Sequence, residues 1–245
     1  MSAGLALPKQ VFGHGFILNR GQKESKSLGN VTDPVELAER FGVDPLRYFL
    51  MREIAFGQDG SYSAEAIVTR TNAELANSFG NLAQRSLSMI FKNMDGNLQG
   101  DYNPAEADAA LEETVLDACR TGLVQAFETL DFSDGLNEWM RAVFACNHYV
   151  DEQAPWALRK SDPERMATVL MTLFRCVRAL AIAVRPVVPA SIDRLLAQMG
   201  IAPDARDFAA LDDPLWFSSL VASGFVLAKP EGVFPRLELP EDPAI

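Results

Sequence analysis

The sequence predicts a mainly helical protein, and three observations carry that prediction. Apolar residues recur at helical spacing over most of the chain between residues 63 and 199. Ser or Asp-Pro start signals precede several of those stripes. Strand-like segments are confined to the two ends. The expected architecture is a helical bundle, with a small mixed α/β piece before it and a short β-hairpin after it.

Val11 to Leu18 reads as a short strand, and Asn19 to Asn30 as a Gly-, Lys- and Ser-rich loop without an apolar stripe. Asp33-Pro34 and Asp44-Pro45 each set a capping carboxylate before a first-turn proline. They open two short helices. Gly42 ends the first, and Leu46, Phe49 and Leu50 give the second its buried face. Phe56 to Ser61, with Gly57 and Gly60, reads as a turn.

Ser63 caps a long helix reaching about Asn93, striped by Leu75, Phe79, Leu82, Ser86, Met89 and Ile90. Asp95 to Pro104 is a loop, and a helix from about Ala105 to Thr129 follows. The helix from about Ser133 to Gln153 turns Leu136, Met140, Val143 and Phe144 inward. Asp162-Pro163 opens a strongly apolar helix that Pro186 and Pro189 stop. Ser191 to Met199 is short and ends at Gly200. Gly224 to Ala228 and Gly232 to Leu237 are expected to pair around Lys229-Pro230-Glu231.

Apolar residues make up 48% of the 245, enough for a sizeable core. No apolar run approaches the ~20 residues of a membrane span, and no signal peptide opens the chain. The expected location is the cytoplasm. Cys119, Cys146 and Cys176 are odd in number, widely spaced and set in apolar helical patterns, which reads as small buried side chains. His14 and His148 are far apart, so no metal site is expected. A net charge of −11 counts against a protein that coats nucleic acid nonspecifically. It leaves room for a local basic patch, as at Arg20, Lys23 and Lys26, at Arg70 and Arg85, or at Arg159, Lys160 and Arg165.

Three segments carry candidate chemistry. In Lys23-Glu24-Ser25-Lys26-Ser27-Leu28-Gly29-Asn30, two lysines three apart suit a loop that closes on polyphosphate. By spacing alone the solvated surface loop is the favoured reading. In Asn147-His148-Tyr149-Val150-Asp151-Glu152-Gln153-Ala154-Pro155-Trp156, Asn147 continues an apolar stripe and needs a hydrogen-bond partner. Trp156, at a helix end, is either an aromatic plug or a platform for a base. In Asn77 to Arg85, Asn81 and Arg85 are neighbours on one helix face, off the Leu75/Phe79/Leu82 stripe.

The lysine segment resembles the KMSKS loop of class I aminoacyl-tRNA synthetases. Its flanks, Leu7-Pro8-Lys9-Gln10-Val11-Phe12-Gly13-His14-Gly15 and Ser27-Leu28-Gly29-Asn30-Val31-Thr32-Asp33-Pro34, resemble the methionyl-tRNA synthetases in particular. Asn147 to Trp156 is similar to the anticodon-binding helical domain of the same family, and distinguishes it from the leucine, isoleucine, valine and cysteine enzymes. The tail Val233-Phe234-Pro235-Arg236-Leu237-Glu238 resembles the segment with which that domain returns to the catalytic half.

The resemblance implies residue roles. Lys23 and Lys26 supply positive charge to ATP during methionyl-adenylate formation, Lys26 foremost, and Ser25 and Ser27 shape the loop. Trp156 stacks on the first base of a CAU anticodon of tRNA(Met), with Asn81 and Arg85 contacting the anticodon. ATP with Mg2+ is the implied cofactor of the complete enzyme, with no metal site in this chain. Glu24 departs from the family pattern, which has methionine or another apolar residue there. A carboxylate in that place is expected to offset the lysines and oppose incoming phosphate.

The implied divisions are residues 1–62 (end of the catalytic domain with the lysine loop and stem-contact region), 63–222 (anticodon-binding domain) and 223–245 (tail). The HIGH-type motif and Rossmann-type half of the family are not in the sequence, so a fragment is expected, monomeric and partnered by that half. The alternatives are a free-standing tRNA-binding module or an inactive truncated product.

Overall fold

The computed structural model describes residues 4, 7, 9–25, 31–55, 57–98, 100 and 102–239. Strand β1 (Ile17–Asn19) is followed by helices α1 (Pro34–Phe41) and α2 (Val43–Glu53) and by strand β2 (Gly60–Tyr62). The two strands pair in parallel, Ile17 opposite Gly60 and Asn19 opposite Tyr62. Strand structure is thus shorter at the start than the sequence suggests, and the expected turn contributes β2. Gly60 is needed there because a Cβ would lie 2.5 Å from Ile54 Cγ1.

Asp33 caps α1, accepting from the Val35 amide at 2.8 Å, and Gly42, at φ 89°, ends it. Asp44 does something else. It lies inside the first turn of α2, buried, and accepts from the Ser191 amide at 2.6 Å. It therefore caps a distant helix, α10 (Pro189–Gln198), and ties the α/β piece to the bundle.

The bundle opens with α3 (Ala64–Arg70), capped by Ser63, whose hydroxyl accepts from Ala66 at 3.1 Å. It continues without a break through a π-helical segment (Thr71–Gly80) into α4 (Asn81–Asn93). This is the expected long helix, with one wide-turned stretch inside it. The next helix is divided similarly, into α5 (Glu106–Asp117), a π segment (Ala118–Gly122) and α6 (Leu123–Glu128). Then come α7 (Phe132–Gln153), α8 (Pro155–Ser161), α9 (Pro163–Val184), α10 and, after two 3-10 turns, α11 (Trp216–Ala222). The sequence reading did not find α8.

Helix α9 is the centre. It is long and apolar enough to cross a membrane, but 89% of that stretch is buried inside the protein. Trp139 of α7 donates its Nε1 proton to the Leu180 carbonyl at 2.9 Å, closing the seam between α7 and α9. All three cysteines are buried and free. One large core runs from Tyr48 through the bundle to Val233, and a smaller one holds Leu37, Phe41, Phe49, Tyr62, Ala64, Ile67 and Val68.

The tail corrects the hairpin expectation: among the described residues its two segments do not pair with each other. Val226 bridges to Asn97 instead, and the Leu227 amide donates to the Gly96 carbonyl at 2.8 Å. Further on, bundle side chains satisfy the tail backbone. Gln84 donates to the Pro230 carbonyl (3.1 Å), Arg194 to the Val233 carbonyl (3.1 Å), and Asn72 bonds both the N–H and the C=O of Leu237. Backbone groups already partnered have no need of a ladder.

Candidate functional site

At the lysine end, Lys23 follows the turn after β1, with its Nζ 4.8 Å from the centre of the Phe16 ring. Ser25 is half-buried. Lys26 and Ser27 lie outside the described residues. Glu24 is tied down by several donors. Its Oε1 accepts from the Tyr62 hydroxyl, from the Thr32 amide at 3.2 Å and from the Asn19 side chain at 3.4 Å. The carboxylate is fixed between the two strands and the start of α1. Burial pushes its pKa up, but the bonds from Tyr62 and Thr32 outweigh that and hold it below the usual carboxylate range. Burial and Glu24 together push the Tyr62 phenol up to about 12. The carboxylate thus stays charged and is anchored by these donors.

The second group lies on the bundle. Asn81, exposed at the start of α4, sits one turn before Arg85, on the same face. Arg85 Nη2 lies 3.4 Å from Asp151 Oδ1 near the end of α7. The Arg85 guanidinium also lies 5.8 Å from the centre of the Trp156 ring, within cation–π reach. Both partners of the Arg85–Asp151 pair are open to solvent, so it adds little stability and can be exchanged for another anion. Asn81 also lines a cleft of about 380 Å3 with Asn77, Gln84, Phe234 and Arg236.

Trp156 is no plug: it is 51% exposed. Its position follows from its neighbours. Ala154 ends α7 in the left-handed region, φ 42° and ψ 57°, and reverses the chain. Pro155, buried, takes the first position of α8. The indole follows directly and projects from the turn.

Asn147 is half-buried and donates to the Val143 carbonyl of its own helix at 3.0 Å, as a semi-buried amide requires. Phe144 departs from expectation: it is 56% exposed. The inward stripe of α7 is Leu136, Trp139, Met140, Val143, Cys146 and Val150. Phe144, one residue past Val143, lies ~100° around the helix from that line.

The structure therefore brings Arg85 and Trp156 together and sets Asn81 on the same face as Arg85. The lysine loop belongs to other elements. Asp151, Tyr62 and Thr32 were not singled out in the sequence. Asp151 carried a signal, its place in the distinctive 147–156 segment; Tyr62 reaches Glu24 across 38 residues of sequence and carried none.

Two family models match the chain, and Asn81 and Arg85 fall within the first of them. The family described as tRNA synthetases class I (M) matches residues 1–87. The family described as anticodon binding domain of methionyl tRNA ligase matches residues 99–242. The methionine–tRNA ligase of Brucella suis biovar 1 is 50% identical over 240 residues, covering 96% of this chain and 45% of its own. That of Mycobacterium bovis is 46% identical over 251 residues, covering 99% and 46%. The solved structure of Mycobacterium tuberculosis methionyl-tRNA synthetase in complex with methionyl-adenylate superposes with a TM-score of 0.85 at 45% identity, over 96% of this chain and 46% of that one. The chain spans less than half the length of these relatives. On the matched domains and the shared fold, it belongs to the methionyl-tRNA synthetase family of class I aminoacyl-tRNA synthetases.

Proposed function

We propose that the chain is the tRNA-reading part of a methionine–tRNA ligase, and that its lysine loop serves ATP when the preceding catalytic half is joined to it. The observation that carries this reading is the approach of Arg85 to Trp156, 5.8 Å from guanidinium to ring centre, on two helices far apart in sequence. An exposed indole offers a stacking face for an unpaired base. The guanidinium beside it can bond a base edge or a phosphate, and the Asn81 amide can bond a base edge. Trp156 would take the first base of a CAU anticodon. Lys23 and Lys26 would neutralise charge on the ATP phosphates, with Ser25 and Ser27 shaping the loop. Mg2+ would travel on those phosphates rather than in a protein cage. The chain would act as a monomer in the cytoplasm.

The test is a titration of the chain with an anticodon stem-loop bearing CAU and with one changed at the first anticodon base. The CAU hairpin should bind more tightly, and more weakly as salt is added. Trp156→Ala should cost about 1–3 kcal/mol and erase most of the preference. Arg85→Ala should weaken both hairpins with a smaller loss of discrimination. Equal affinity of the unmutated chain for the two hairpins would overturn the reading.

A second reading, a free-standing tRNA-binding module, draws on the bundle's own large core. It predicts the same hairpin preference without any gain of activity when a catalytic half is joined.

A further inference from the structure

We propose that Phe144 is a second stacking platform, taking an unpaired base of the anticodon loop other than the one on Trp156. This rests on the anticodon-reading function proposed above and extends it.

The first observation is exposure. Phe144 and Trp156 are the exposed large aromatic residues among the described residues 63–222. A single exposed apolar side chain is ordinary, so placement decides. Phe144 and Asp151 are seven residues apart on α7. Seven residues turn a helix by ~700°, within ~20° of two full turns, and advance it by ~10 Å. Phe144 therefore stands on the face of α7 that carries Asp151, two turns nearer the helix start. Asp151 meets Arg85, and Arg85 lies by Trp156.

The second observation is the direction of the neighbouring helix. Phe79 meets Trp139, with ring centres 5.1 Å apart, and Arg85 meets Asp151. The helix carrying Asn81 thus runs beside α7 in the same direction. Asn81 lies between Phe79 and Arg85, and Phe144 between Trp139 and Asp151. Along the two helices Asn81 and Phe144 precede the Arg85–Asp151 pair, and Trp156 lies by Arg85. At ~10 Å from Asp151 along the axis, Phe144 is too far from the indole to share its base. An exposed aromatic face suits a splayed, single-stranded base, and stacking tolerates any base identity.

The test uses the whole chain and CAU hairpins made abasic at one loop position at a time. Binding is titrated for the unmutated chain, Phe144→Ala, Phe144→Tyr and Trp156→Ala, with circular dichroism checking each fold. Phe144→Ala should bind the intact hairpin about tenfold more weakly, the order of one base–aromatic stack. Phe144→Tyr, which keeps the ring, should stay within about twofold. One abasic hairpin should lose the same factor on the unmutated chain and nothing more on Phe144→Ala, while Trp156→Ala still weakens it further. Affinity unchanged in Phe144→Ala, or a loss equal for every abasic hairpin, overturns the proposal while leaving the Trp156 reading intact. If instead the unmutated chain does not prefer CAU, the anticodon reading fails, and this inference with it.

Discussion

The lysine-loop end and the helical bundle of this protein are finished to different degrees. In the first 43 residues Leu7, Val11, Phe12, Phe16, Ile17, Val31, Val35 and Val43 are all exposed, and the strands are three residues long. In the bundle, α9 is buried along most of its length, and the exposed large apolar residues of 63–222 are Phe144, Trp156 and Leu215. On the proposed roles, recognition and chemistry would be separable: the Arg85–Trp156 face stands on the large core, whereas Lys23 and Glu24 adjoin the smaller one.

The largest expected effect probes that separation directly. The chain alone should give no methionine-dependent ATP–pyrophosphate exchange above an enzyme-free control, yet it should bind the CAU hairpin. Joined to the preceding half of the Brucella suis ligase, it should gain exchange, and Lys26→Ala should then slow it about 10²–10³-fold, the usual loss for one preorganised charge contact. Exchange by the unaided chain would erase the distinction.

Next in size is the bundle's own stability. Asp108, fully buried, accepts from Arg165, from the Tyr149 hydroxyl and from the Ala105 amide at 2.8 Å. Asp108→Ala leaves Arg165 with Gln153 at 2.6 Å but without its carboxylate partner, and should cost about 3–5 kcal/mol in urea unfolding. Burial pushes the Asp108 carboxyl up, but Arg165 and Tyr149 outweigh it and keep its pKa below the ordinary value. The sign follows: its contribution is complete above the unfolded carboxylate range, ~4, and fades as pH falls through the lower folded value. An unmutated bundle whose stability stays flat on acidification below pH ~4, where Asp108→Ala also stays flat, would show that this ion cluster is not the acid-sensitive element.

The smallest effect belongs to the loop. Glu24→Met and Tyr62→Phe should each remove bonds worth ~1 kcal/mol. Hydrogen exchange at the Thr32 amide should rise several-fold, with the bundle's unfolding midpoint unmoved. A shifted midpoint would mean that the two regions are energetically one.

Helix positions were legible because their causes are local. Ser63, Asp33 and Asp162 cap as read, since a cap and its amides are two or three residues apart. Asn81 and Arg85 were placed on one face by helical periodicity alone. What the sequence hid was made by distant partners. Asp44 looks like a cap for its own helix and caps α10 instead, across 147 residues. Glu24 looks like a charge in a polyphosphate loop and is fixed by Tyr62. Phe144 looks like part of a stripe, but Val143 and Cys146 already fill the line it adjoins. The tail segments have the composition of a hairpin, and bundle side chains claimed their backbone first.

Ala154 carries a consequence of its own. A left-handed backbone at a residue with a Cβ costs ~1–2 kcal/mol, and glycine would remove that cost. Ala154→Gly should therefore raise the thermal midpoint. It should also let α8 swing, so that the indole at Trp156 sweeps an arc instead of holding one bearing, and hairpin affinity should fall as the midpoint rises. Ala154 thus holds a strained backbone at the joint that sets the bearing of Trp156.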